Sequence, residues 1–283
     1  MRKQQQAMRD KRDKLPSQIL ASIKARRTRG TVVHAPHDRS HGMLIASYNV
    51  HKCVGVDGKF DPGRISHVIR EIGADVIALQ EADSRFGERR GLLDLNWMER
   101  ETGLCPVPLS GVAKAHGWHG NVIFFREGLV RHVHQVKLPG LEPRGALLAE
   151  LELQDGSSLR VIGAHLGLLN RSRQQQARTI LDILRSRDDT PTVLMGDLNE
   201  WRLGDRSALN TLSSVFGLPP AVPSFPSRLP VFALDRIMAN RPGLVEAVHT
   251  HDTPLARLAS DHLPIKAVVK LGAALAQSQA AVD

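Results

Sequence analysis

Six short polar motifs stand in order along this chain, each at the end of an apolar run or beside one: Tyr48-Asn49, Gln80-Glu81, His165, Gly196-Asp197-Leu198-Asn199, Leu234-Asp235 and Ser260-Asp261-His262. Apolar runs of four to eight residues read as buried strands, so these motifs fall at strand ends. That pattern calls for a fold that gathers several strand ends in one place. No single motif would carry the inference; the weight lies in the ordered set.

Carboxylates, carboxamides and two histidines suit metal-assisted phosphoester hydrolysis. A hard cation takes oxygen ligands, a water has to be deprotonated, and a developing anion needs hydrogen-bond donors.

The apolar runs alternate with helical periodicity from Met43 onward. Strands are predicted at Met43 to Val50, Asp75 to Gln80, Asn121 to Arg126, Leu129 to Val136, Ala146 to Leu153, Leu159 to His165, Thr192 to Met195, Val231 to Met238 and Ile265 to Val269. Asp155-Gly156 marks a hairpin turn. Helices are predicted at Arg64 to Ile72, closed by Gly73, from a Ser172 cap onward with Ala177, Ile180, Leu181 and Leu184 on one face, and at Ser207 to Val215. Gly217 to Pro230, with five prolines, reads as a loop. The economical architecture is two packed, mixed, mostly antiparallel sheets with helices outside.

At 283 residues, with 42% hydrophobic content, the chain can bury one large core, expected at residues 43–271 and followed by a C-terminal tail at 272–283. No apolar stretch approaches the roughly 20 residues of a bilayer span, and no apolar leader opens the chain, so a cytoplasmic protein is expected. Cys53 and Cys105 are too few for a disulfide framework or a thiolate zinc site. The charge is concentrated: residues 1–42 hold 11 Lys/Arg against 3 Asp, while the other 241 residues hold 27 basic and 26 acidic side chains. The extension, with Arg26-Arg27-Thr28-Arg29 and no aromatic residue, reads either as a flexible solvated segment or as a contact for an anionic membrane surface or nucleic acid.

From about Met43 to Lys270 the chain resembles the endonuclease/exonuclease/phosphatase superfamily, the DNase-I-like fold, through Tyr48-Asn49, Leu79-Gln80-Glu81, Ala164-His165-Leu166, Gly196-Asp197-Leu198-Asn199, Leu234-Asp235-Arg236-Ile237 and Ser260-Asp261-His262. The Asn49-Val50-His51-Lys52 opening looks like that of a small bacterial branch of unassigned substrate. The resemblance implies a four-layer α/β sandwich and phosphoester hydrolysis with Mg²⁺, or Mn²⁺ in its place. It assigns Glu81 as principal metal ligand, with Asn49 as neutral oxygen partner and Asp261 facing the metal.

Within the same resemblance, Asp197 is the general base for the attacking water and Asn199 orients that water or a phosphoryl oxygen. His262 donates to the scissile phosphate and is oriented by Asp235. His165 aids the leaving oxygen or binds phosphate. Arg144, through its planar fork, would clamp phosphate, and Asn121 braces the site. His51, where apurinic nucleases often carry an acid, is left open as a substrate contact. His116, Trp118 and His119 form a rim for substrate selection, or loop polarity. His132 and His134 share one strand face and point to water.

The nearly neutral body, the 4% aromatic content and the lack of a Lys directly after Gln80-Glu81 favour a phospholipid headgroup or small phosphodiester as substrate over DNA or RNA. A nuclease is the alternative. A third reading is a catalytically silent binding module held to an anionic partner by the extension.

Overall fold

The computed structural model describes residues 42–271, apart from 85, 86, 112, 113, 154, 203, 205, 206 and 219. The expectations for the basic extension before Gly42 and for residues 272–283 therefore lie outside the described residues. Two sheets form. The first has the order β10-β11-β1-β2-β4-β3, built from β1 (Met43–Asn49), β2 (Val76–Gln80), β3 (Cys105–Pro106), β4 (Val122–Phe125), β10 (His249–Thr250) and β11 (Ile265–Val269). The second runs β5-β6-β7-β8-β9, from β5 (Leu129–Lys137), β6 (Gly145–Glu152), β7 (Ser158–His165), β8 (Thr192–Asp197) and β9 (Asp235–Ala239). Among the described residues only the central pairs β1/β2 and β7/β8 are parallel; the other pairings are antiparallel.

Strand periodicity of two explains the layering. In β1 and β2, Ile45, Val76 and Ala78 face the second sheet, where they meet Leu147, Val161, Val193 and Met195. Their neighbours Ala46, Tyr48, Ile77 and Leu79 face outward onto α1 (Pro62–Ile72), α2 (Leu95–Thr102) and α5 (Pro254–Ala259). The outer face of the second sheet packs Leu148, Ile162 and Leu194 on Ala177, Ile180 and Leu181 of α3 (Asn170–Arg185) and on Leu209 and Leu212 of α4 (Ala208–Leu212). Three apolar layers between four layers of secondary structure give the expected helix, sheet, sheet, helix sandwich.

Local signals set most boundaries. Asp61 accepts the Arg64 N–H at the start of α1, and Gly73 closes it at φ 67. At Gly196, φ is 152 and a Cβ would lie 1.8 Å from the Ala164 carbonyl oxygen, so only glycine lets β8 run this close to β7 just before Asp197. Three expectations need correction. Ser172 does not cap α3; the helix begins at Asn170, and Ser172 lies inside its first turn, buried. The strand expected from Val231 begins only at Asp235, because Phe232 instead exchanges backbone hydrogen bonds with Phe225 in the preceding loop. The helix expected at Ser207 to Val215 covers Ala208–Leu212 alone, with Ser207 as its cap. Helices α2 and α5 and the short strands β3 and β10 are additions.

Candidate active site

The inward-facing stripe of each central strand turns polar at one end of the sandwich. Ile45, Ser47 and Asn49 continue one stripe; Val76, Ala78 and Gln80, Val161, Gly163 and His165, and Val193, Met195 and Asp197 continue others. On antiparallel β9, Asp235 precedes Ile237 at the same end. Register completes the convergence, with Asn49 opposite Gln80, His165 opposite Asp197, and Asp197 opposite Asp235. These side chains are a polar continuation of the inter-sheet core, all buried.

They open into a cleft of about 380 Å³ lined by Asn49, Glu81, His165, Asp197, Asn199, Asp261 and His262, together with Lys52, Arg89 and Arg144. Asn49 bridges the two sheets: its Nδ2 donates to Asp197 Oδ2 at 2.9 Å while its Oδ1 accepts the His51 N–H at 3.0 Å. Asp197 Oδ1 accepts the Asn199 N–H at 2.9 Å, and Asn199 Nδ2 donates to the Leu166 carbonyl. His165 Nε2 and His262 Nε2 lie 3.4 and 3.8 Å from Asp197 Oδ2. His262 Nδ1 is 2.8 Å from Asp235 Oδ2, which also accepts from Ser224 Oγ at 2.5 Å. The Phe225 ring covers His262, with centroids 4.8 Å apart.

This packing sorts the charges. Burial is the largest influence on Asp197 and, joined by repulsion from Asp235 and opposed by His262, pushes its carboxyl up to about 6. For His262, burial opposes the cation, but Asp235 and Asp197 outweigh it and raise the imidazole to about 10. A carboxylate able to take a proton thus faces an imidazolium that keeps its own.

On the opposite wall, Glu81 leaves β2 in the left-handed region at φ 54. Burial pushes its carboxyl up, yet the Lys52 ammonium, with His51 and Arg144 beyond, brings it below the usual value. Lys52 Nζ pairs with Glu81 Oε2, which is buried and lacks an aligned hydrogen bond. Of the seven non-glycine residues at positive φ among the described residues, five line the cleft: Lys52, Glu81, Arg89, His119 and Asn199. Strain of this kind is held where a loop must aim a side chain.

Asp261 lines the cleft, its Oδ1 3.7 Å from His51 Nδ1. His51 itself lies outside the lining, with Nδ1 3.0 Å from the Val54 carbonyl oxygen, and Cys53 is buried, its thiol pushed up to about 12 by burial and Asp61. Asn121 stands behind the site, where Nδ2 donates to the Gly145 and Trp118 carbonyls. Arg144 reaches the cleft, but the expected open fork is filled: Nε and Nη2 donate to Glu142 at 3.0 and 2.6 Å, and Nη1 lies 2.8 and 2.6 Å from the two ring nitrogens of His165. The expected rim divides, His119 lining the cleft while Trp118 packs on the inter-sheet core and donates to the Val136 carbonyl. His132 and His134 are exposed.

Several site residues had no assigned role in the sequence. Lys52 had a usable signal, three residues from Asn49. Arg89, held by Asp83 at 2.7 and 3.1 Å, and Ser224, behind Asp235, come from loops without any pattern that marks them.

A divalent metal fits the donor set. Glu81 and Asn49 offer a carboxylate and an amide oxygen and Asp261 a second carboxylate, all lining the cleft, with Glu81 Oε2 held by the Lys52 ammonium and by no aligned hydrogen bond. Among the described residues no three His, Cys, Asp or Glu side chains form a metal cluster; the oxygen donors of Glu81, Asn49 and Asp261 are of the type that hard divalent cations take. Lys52 stands in competition with such a cation. Lys52→Met is expected to tighten Mn²⁺ binding several-fold in isothermal titration, because the ammonium no longer has to leave Glu81; unchanged or weaker binding would show that Lys52 does not contest the metal.

The family model described as Endonuclease/Exonuclease/phosphatase family matches residues 46–262. The chain belongs to this family. Members of the endonuclease/exonuclease/phosphatase family are phosphoester hydrolases, typically dependent on a divalent metal. An endonuclease/exonuclease/phosphatase from Beutenbergia cavernae is 25% identical, with TM-score 0.62, 82% of this chain and 72% of that one covered. The mannosyl-6-phosphatase Bt3783 of Bacteroides thetaiotaomicron is 17% identical, TM-score 0.62, covering 81% and 100%. D. rerio TDP2 complexed with a single-strand DNA product is 17% identical, TM-score 0.57, covering 81% and 98%. These last two likenesses establish the DNase-I-like fold shared across the family. No curated protein matches the sequence. Among the described residues, no helix is long and apolar enough to cross a membrane.

Proposed function

We propose that this family member is a Mg²⁺-dependent phosphodiesterase acting on a phospholipid headgroup or a small phosphodiester. The observation that carries the proposal is the buried pairing of a proton-accepting Asp197 carboxylate with a His262 imidazolium held by Asp235. Asp197 takes a proton from the attacking water, whose oxygen forms the new bond to phosphorus as the ester oxygen departs. Asn199, its side chain anchored on Leu166, positions that water. His262 donates to a phosphoryl oxygen and stabilises the charge that grows there. His165, between Asp197 and Arg144, serves the leaving oxygen or the phosphate, and Arg144 contributes through Nη1 because Glu142 holds the rest of its fork. Glu81, Asn49 and Asp261 would hold the metal, which when bound supplies positive charge to the phosphate.

Hydrolysis of a soluble bis-aryl phosphodiester tests this reading. Turnover is expected with Mg²⁺, to be abolished by EDTA and restored by Mg²⁺ or Mn²⁺; full turnover after exhaustive chelation, or none under any condition, rejects it. A nuclease reading draws on Lys52, Arg89 and Arg144 around the cleft, and a parallel screen of nucleic acids, phospholipids and inositol phosphates decides the substrate class. In the same screen, absent turnover with tight anion binding would indicate the silent module.

A further inference from the structure

Exposed apolar side chains are ordinary when scattered and informative when they collect. Of the ten large ones among the described residues, all but Leu218 lie in segments that enter or leave the sheets at the cleft end. The densest group is Leu168, Leu169, Trp201, Leu229, Val231 and Phe232. Leu229 is 70% exposed at the tip of the turn that follows Pro226, and Leu168 is 65% exposed although it also lines the cleft. Trp201 and Phe232 touch with ring centroids 5.4 Å apart. Phe232 is paired through its backbone with Phe225, whose ring covers His262. The apolar rim is therefore continuous with the wall of the cleft.

Its exposed charged side chains are basic, and the carboxylates that touch it, Glu142 at the Leu168 N–H and Glu200 at the Arg202 N–H, are tied to its backbone. Arg171, Arg202 and Arg228 are exposed among these side chains, with the Arg202 guanidinium 4.9 Å over the Trp201 ring, and residues 166–171, 201–202 and 225–233 contain no Asp or Glu. Tryptophan, aliphatic tips and arginines on loops around one opening match the hydrocarbon–headgroup boundary of a bilayer, where apolar tips are buried and guanidinium groups meet anionic lipid. A nucleic acid would use the rings, but leucine and valine tips offer it no stacking face.

The geometry points to this rim as a membrane-docking surface that seats the cleft mouth on an anionic lipid bilayer, an inference that rests on the cleft being a phosphoester hydrolase site and narrows its substrate to interfacial lipid. It is separate from any role of residues 1–41, and salt distinguishes the two. In about 0.5 M NaCl, attraction by the basic extension is strongly screened, whereas apolar insertion persists.

The test is co-sedimentation of the full chain with phosphatidylcholine vesicles, with and without phosphatidylglycerol, in high salt. Wild type is expected to partition onto both kinds of vesicle in high salt, because apolar insertion persists while the preference for phosphatidylglycerol is screened. The combined Trp201→Ser, Leu229→Ser and Val231→Ser variant should lose at least about tenfold in partitioning. It should keep wild-type turnover on the soluble bis-aryl ester. Leu229→Ser alone, at an exposed tip, should lose a few-fold with its melting temperature unchanged. Equal partitioning of wild type and the triple variant, absence of wild-type binding, or rim-dependent binding of a single-stranded oligonucleotide without vesicle binding would each overturn the docking surface. Failure of the hydrolase reading is separately visible as absent turnover on the soluble ester.

Discussion

Asp197→Asn is expected to lower kcat by at least about 10²-fold, the scale of a lost general base, and to change how the protein's stability depends on pH. The substitution keeps the shape and one acceptor oxygen, but it removes the charge and, because Asn49 donates to Oδ2 and the Asn199 N–H to Oδ1, one of these two hydrogen bonds. Asp197 is a carboxylate buried to 2% exposure whose pKa is raised, chiefly by that burial, to about 6. The sign follows from linkage: a carboxyl that binds its proton more tightly in the folded than in the unfolded state loses stability as pH climbs from its ordinary range through about 6. The variant lacks this loss. Its melting temperature relative to wild type, measured in EDTA, should therefore rise between pH 4 and pH 8. Near-wild-type turnover would remove Asp197 from the mechanism, and a flat difference in melting temperature would show that the carboxylate carries no burial cost.

Loss of the imidazolium should be comparably severe. His262→Ala is expected to cost at least about 10²-fold in kcat, as for a removed charge-stabilising donor. Asp235→Asn distinguishes holding the charge from carrying it. Asp235 is the strongest influence raising His262 to about 10, against the burial that lowers it. With that carboxylate neutralised the imidazole loses its proton at lower pH, so the alkaline limb of the kcat profile should move down from near pH 10 toward neutrality, while the cationic form still works at lower pH. A limb that stays in place would mean that His262 does not act as a cation.

Much of this site was legible because its chemistry sits in phase with its strands. Asn49, His165 and Asp197 occupy inward positions of apolar runs, and a period of two carries that phase from core to cleft. The layered sandwich followed from the same alternation. What the sequence hid depends on long-range pairing. Phe225 and Phe232 join in a local ladder that shortens β9, an outcome set by where the loop docks and not by propensity. Glu142 fills the fork of Arg144 from two residues away, a pairing as ordinary on any surface as in a site. Arg89 and Ser224 reach the site by tertiary placement alone.

The Asn49 to Asp197 hydrogen bond joins residues that belong to opposite sheets and lie 148 positions apart. One half of the reaction centre therefore rides on each slab, and the two halves are in register only while the slabs are seated on one another. A small slip along their apolar seam would misalign the centre before either ladder frayed, so enzymatic output should act as a gauge of slab seating, failing under mild denaturant ahead of any spectroscopic sign of melting.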